Sequence, residues 1–218
     1  MALDDTFRAP RAPRGAALGC RSVATLRALC VFCGSSLPPD ERFVHAARML
    51  GSVIAARGVE LVYGGGSVGL MGVIADACLA SGGRVTGVIP SGLFRREIAH
   101  TGLTTLYEVG SMHERKQRMY DLSDAFVALP GGFGTLEELA EIATWSQLGL
   151  HRKPIVLLDV DGFWDPLVAQ LDRMVAVGLL KTENRTLLSR TGSCDTVFDL
   201  IDAYRPARVA KWISAGER

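Results

Sequence analysis

Residues 125–148 constrain the fold of this 218-residue chain more tightly than any other stretch. Ala125-Phe126-Val127-Ala128-Leu129 is short, apolar and β-prone, which is the pattern of a strand buried on both faces. Pro130-Gly131-Gly132-Phe133-Gly134 follows, and then Leu136, Leu139, Ala140, Ile142 and Ala143 recur at helical spacing. The spacing predicts a helix from Thr135 to about Leu148, stopped by Gly149. A strand, a glycine-rich turn and a helix N-terminus in succession make a ready anion site. Free N–H groups and the positive end of the helix dipole collect there. The acids Glu137 and Glu138 follow directly.

The same alternation runs through the chain. Strands are predicted at Ala28–Phe32, Glu60–Tyr63, Arg84–Ile89, Thr104–Val109 and Ile155–Leu158, with a short last one at Thr186–Leu188. Helices are predicted from Asp40 to Arg57, Val68 to Ala80, Ser111 onward, Asp165-Pro166 onward, and Thr196–Ala203. This implies a Rossmann-like three-layer α/β/α sandwich with about seven mostly parallel strands. In such sheets ligands bind beyond the carboxyl ends of the strands, at the switch in strand order. The three glycine-bearing turns share that edge and predict a crevice lined by Ser35, Gly64–Ser67 and Gly131–Thr135.

Residues 27–204 read as one domain. Residues 1–26, rich in Arg, Pro and Ala, read as a disordered tail, and 205–218 as a C-terminal tail. A net charge of +1 gives no electrostatic case for a nucleic-acid polymer or a membrane surface. No apolar run is long enough to span a bilayer, and the basic start and apolar core of a signal peptide are missing, so the expected location is the cytoplasm. Five cysteines at irregular spacing read as reduced thiols, and no cluster has metal-ligand spacing.

Each chemical reading has a plainer competitor. Gly64-Gly65-Gly66-Ser67-Val68-Gly69 contains G-x-G-x-x-G, but the acid that would hold a dinucleotide ribose is missing between Asp76 and Glu97. A smaller phosphate ligand fits this turn better. Thr135-x-x-Glu138 and Ser111-x-x-Glu114 both match the capping box, which from spacing alone explains both glutamates. Arg115-Lys116 could be an exposed charge pair, Glu141 a solvated acid and Thr144 a helix-packing residue. Asp121 and Asp124 read as capping residues, and His113 as structural.

Four segments together carry a resemblance: Cys33-Gly34-Ser35-Ser36, Tyr63-Gly64-Gly65-Gly66 with Gly69-Leu70-Met71-Gly72, Met112-His113-Glu114-Arg115-Lys116, and Pro130-Gly131-Gly132-Phe133-Gly134-Thr135-Leu136-Glu137-Glu138. Over roughly residues 27–204 the chain resembles the LOG family, the cytokinin riboside 5′-monophosphate phosphoribohydrolases. The resemblance implies hydrolysis of the N-glycosidic bond of N6-substituted adenosine 5′-monophosphates, and of AMP, without cofactor or metal. It implies Arg115 and Glu138 as catalytic residues. Ser35, Gly65, Gly66, Glu97, Lys116, Gly131, Gly132, Gly134, Thr135, Glu141 and Thr144 are the expected substrate-binding residues. A homodimer is also implied. The competing expectation is a carrier without catalysis that binds a nucleotide or the molybdenum cofactor. An amino-acid decarboxylase label attached to this family finds no pyridoxal-phosphate lysine motif here.

Overall fold

The computed structural model describes residues 26–92 and 99–206. The strands are β1 (Ala28–Phe32), β2 (Glu60–Tyr63), β3 (Val85–Pro90), β4 (Thr105–Val109), β5 (Ala125–Ala128), β6 (Ile155–Leu158) and β7 (Leu188–Thr191). The helices are α1 (Glu41–Ala56), α2 (Gly69–Ala80), α3 (Met112–Leu122), α4 (Phe133–Gln147), α5 (Asp165–Ala176), α6 (Thr182–Arg185) and α7 (Cys194–Ala203). All seven strands pair in parallel, in the order β4-β3-β2-β1-β5-β6-β7. The order reverses between β1 and β5, so the turns after these two strands flank the switch point.

Alternate residues of β1 feed two separate cores, because successive strand side chains point to opposite faces. Leu29 and Val31 join Val44, Leu50 and Ile54 of α1 and Ile74 of α2. Cys30 and Phe32 join Met119 of α3 and Leu139 and Ile142 of α4. The site helices α3 and α4 thus share one layer, while α1 and α2 pack on the other.

Most elements lie within a residue or two of their predicted positions. α4 begins at Phe133 with Gly132 as its N-cap, earlier than the predicted Thr135. Thr135 is therefore the third helical residue, and the capping-box explanation of Glu138 fails. At Ser111 the cap is real: Ser111 Oγ accepts from the Glu114 N–H at 3.1 Å, but Glu114 Oε2 reaches past it to the Gly110 N–H at 2.8 Å. β7 lies at Leu188–Thr191, not Thr186–Leu188, because the unpredicted turn of α6 occupies the preceding residues and Thr186 closes it through Glu183 O. Asp124 sits at the far end of the sheet, accepting from the Arg27 and Ala28 N–H groups. Cys30, Cys33 and Cys78 are buried free thiols. Most of both predicted tails, Cys20, and Arg95, Arg96 and Glu97 lie outside the described residues. Among the described residues, no helix is long and apolar enough to cross a membrane.

Candidate active site

The turns at the switch point are tied together through backbone. Gly34 N–H donates to Pro130 O at 3.2 Å, and Leu70 N–H donates to Gly34 O at 3.0 Å. The contact leaves no room for side chains: a Cβ on Gly69 would lie 2.3 Å from the Ser35 carbonyl carbon, and one on Gly131 would lie 2.1 Å from Thr135 Oγ1. Glycine is therefore required for the approach itself. At Gly69 it is also required by a φ of +63°.

Below this seam lies a cavity of about 200 Å³. One end is the first turn of α4, Gly132 to Thr135. The helix N-terminus has no side-chain cap, and the leading N–H groups of a helix have no intrahelical acceptor. The other end holds Arg115 and Glu138, with Gly64, Met71, Met112 and Met119 around them. Arg115 and Glu138 are only 8% and 9% exposed. Their closest approach, Arg115 Nη2 to Glu138 Oε1, is 3.9 Å. That is an ion pair but too long for a hydrogen bond.

Arg115 is held by shape. A Cβ on Gly64 would fall 1.9 Å from Arg115 Nη2, so the guanidinium lies in the space left by the missing side chain. Nη1 points at Met112 Sδ, 3.8 Å away, and Nε is buried without a hydrogen-bond partner. A buried guanidinium with so few acceptors is costly unless a ligand supplies them. Burial pushes the Glu138 carboxyl up to about 7, against the opposing pull of Arg115. Glu138 can therefore exchange a proton near neutral pH. Burial, reinforced by the Glu138 charge, holds the neighbouring Cys33 thiol well above its ordinary range, so it is protonated and inert.

The expected binding residues divide. Ser35, Gly132, Gly134 and Thr135 line the cavity with Arg115 and Glu138. Gly65 and Gly66 do not: both are buried, Gly65 packs under β3, and Gly66 bridges to Ala99. Lys116 is engaged by α4, with Nζ bonded to Glu137 and, at 2.9 Å, to Glu141. Thr144 is exposed and donates to Ala140 O within its own helix. His113 is exposed and outside the cavity lining. The methionines around Arg115 carried no role in the sequence reading, although Met71 and Met112 lie in its motifs.

Residues 71–203 match a family model described as "Possible lysine decarboxylase". A protein of Oryza sativa subsp. japonica named "Probable cytokinin riboside 5′-monophosphate phosphoribohydrolase LOGL1" is 52% identical over 176 residues, covering 81% of this chain and 79% of the relative. An Arabidopsis thaliana protein named "Cytokinin riboside 5′-monophosphate phosphoribohydrolase LOG2" is 44% identical over 180 residues, covering 83% and 84%. Among solved structures, the molybdenum cofactor binding protein of Rippkaea orientalis shares the fold with a TM-score of 0.62 at 22% identity, covering 81% of this chain and 96% of that one.

Proposed function

The chain belongs to the LOG family, the cytokinin riboside 5′-monophosphate phosphoribohydrolases, and from this we propose that its cleft hydrolyses the N-glycosidic bond of N6-substituted adenosine 5′-monophosphates and of AMP. The products are the free base and ribose 5-phosphate. The observation that carries the reading is the buried pair Arg115–Glu138 at the end of a cavity whose other end is an uncapped helix N-terminus.

The 5′-phosphate sits against the N–H groups of Phe133, Gly134 and Thr135, where dipole and donors favour an anion. The ribose then lies along the cavity with C1′ near Glu138. As the C1′–N bond breaks, positive charge develops on the sugar. The Glu138 carboxylate stabilises that charge and takes a proton from the water that attacks C1′. The base leaves with its bonding pair and gains a proton from solvent. Arg115 offers the nucleotide the acceptor-seeking N–H groups that the resting site leaves unmatched. Lys116, on α3, is held by Glu137 and Glu141 of α4 and does not line the cavity, which departs from a direct phosphate contact.

Among the described residues, no lysine lines the cavity that holds Arg115 and Glu138. Burial acts to lower the Lys116 amine, but its bonds to Glu137 and Glu141 outweigh that and raise it. Lys153 lies over the Tyr120 ring and bonds Tyr120 O. We extend the same reading to a cytoplasmic homodimer, which sedimentation tests.

The deciding experiment incubates the protein with AMP or N6-isopentenyl-AMP and measures free base. Release by the wild type, lowered on the order of 10²–10⁴-fold in Glu138→Gln with nucleotide binding retained, supports the assignment. Tight nucleotide binding with no base released favours the non-catalytic carrier. With its carboxyl raised to about 7, Glu138 should give kcat/KM an acid limb near that pH. Activity should fall below it as the carboxylate is protonated.

A further inference from the structure

A second chamber, about 350 Å³, lies on the other side of the seam between the turns after β1 and β5. It shares Gly34, Ser35 and Gly132 with the cavity that holds Arg115 and Glu138. Its far wall is apolar: Phe43 of α1 and Phe163 of the β6–α5 turn meet edge to face at 6.0 Å, beside Leu70 and Pro130. Ser35 and Ser36 line it as well.

Arg42 bonds Asp40, the N-cap of α1, and its Nη1 lies 2.7 Å from Asp161 Oδ2. Asp161 has a φ of 54°, the left-handed region that non-glycine residues seldom enter. The pair links the turn carrying Phe163 to the helix carrying Phe43 at the exposed surface. The chamber's size falls within the range of ligand sites, roughly 300–1,000 Å³.

The uncapped N-terminus of α4 lies at the junction of the two chambers. In those doubly wound sheets that bind dinucleotides, the pyrophosphate sits at a helix N-terminus and the ligand lies across the switch point. We propose that the second chamber is a half-site for a nucleoside joined through its 5′-phosphate to the one in the catalytic cavity, so that the protein binds dinucleotides with a pyrophosphate bridge. The proposal rests on the phosphate position given above. A planar heterocycle suits the two phenylalanine rings, and its ribose suits the serine hydroxyls. An N6 substituent of the first base does not reach this chamber, because the residues shared by the two chambers are those of the phosphate end. Arg115, Met71 and Met112 line the catalytic cavity and not the second chamber.

The test compares diadenosine 5′,5′-pyrophosphate with ADP by calorimetry on the full chain, with base release from AMP measured on the same preparation. The dinucleotide should bind at least tenfold more tightly than ADP. Phe163→Ala, which removes a ring of the chamber, and Ser36→Trp, which fills it, should each bring the two ligands within twofold. AMP hydrolysis should stay within twofold of wild type in both variants. Equal affinities in a wild type that still hydrolyses AMP would overturn the half-site and leave the hydrolase reading intact. Loss of AMP hydrolysis in the wild type itself would count against that reading instead. A dinucleotide advantage that survives both variants would also overturn the half-site. So would selective loss of N6-isopentenyl-AMP turnover in Phe163→Ala, which would assign the chamber to the base substituent.

Discussion

Two glycine-rich turns follow neighbouring parts of one sheet and look alike as sequence, yet they are used in opposite ways. The turn after β2 is closed. Gly64 receives the Arg115 guanidinium, Gly66 bridges to Ala99, and the uncapped start of α2 has its Leu70 N–H taken by Gly34 O. The turn after β5 is open. Gly132 and Gly134 are exposed, a Cβ on either would meet nothing within 4 Å, and Phe133 is 93% exposed. Glycines in the first turn, and Gly131 at the head of the second, let protein parts approach one another, whereas Gly132 and Gly134 leave space for something that is not protein. A G-x-G-x-x-G pattern alone does not distinguish the two, because both uses require a missing side chain.

The comparison can be broken at single methyl groups. The largest effect is expected at Gly64. Its alanine variant places a methyl group where Arg115 Nη2 now lies. The arginine is long enough to move aside, so the fold should survive while kcat/KM for AMP falls by about two orders of magnitude, of the size typical for loss of one preorganised electrostatic donor. Near-normal turnover with an unchanged melting temperature would mean that the guanidinium need not occupy that slot.

Next comes Gly69→Ala, where the added Cβ meets backbone at 2.3 Å with φ at +63°. Neither the contact nor the dihedral relaxes cheaply. The expected result is a loss of stability of about 1–3 kcal/mol, read from denaturant unfolding. A stability equal to wild type would show that the seam is looser than its distances suggest.

The smallest effect on stability is expected at Gly134. Alanine fits the helical backbone there and should be neutral or stabilising by about 0.4–1 kcal/mol. Its methyl group nevertheless enters the anion end of the cavity, so KM for AMP should rise. If Gly134→Ala costs stability as Gly69→Ala does, the two turns are not different in kind.

Much of this was legible in the sequence, for identifiable reasons. β1, β2 and β6 are legible to the residue because Ala28–Phe32, Glu60–Tyr63 and Ile155–Leu158 are short runs, apolar except for Glu60, between turn signals. β7 was harder to read because Leu-Ser-Arg-Thr is a half-exposed edge strand without an apolar run. The predicted start of α4 is late because glycine is a poor helix former and Thr135-x-x-Glu138 imitates a cap. The first helical turn lacks intrahelical N–H bonds in any case, so Gly134 is tolerated there and its N–H remains open. The site was legible where a motif brings residues close in sequence, as in Gly132 to Glu138. It was not legible where tertiary pairing decides. Nothing in Met112-His113-Glu114-Arg115-Lys116 says that Arg115 turns into Gly64 while its neighbour Lys116 turns to Glu137 and Glu141.

The open turn is assigned to the 5′-phosphate, and that assignment is tested most directly by comparing kcat/KM for AMP with that for adenosine at fixed ionic strength. In the proposed mechanism, phosphate at the start of α4 orients the ribose toward Glu138, and binding energy of this remote kind is expressed in kcat as well as KM. The predicted result is that adenosine is cleaved at least 10²-fold less efficiently than AMP, with kcat and KM both affected, and that ribose 5-phosphate inhibits competitively while ribose does not. Comparable kcat/KM values for the two substrates would contradict it, and would leave the open turn after β5 without a ligand.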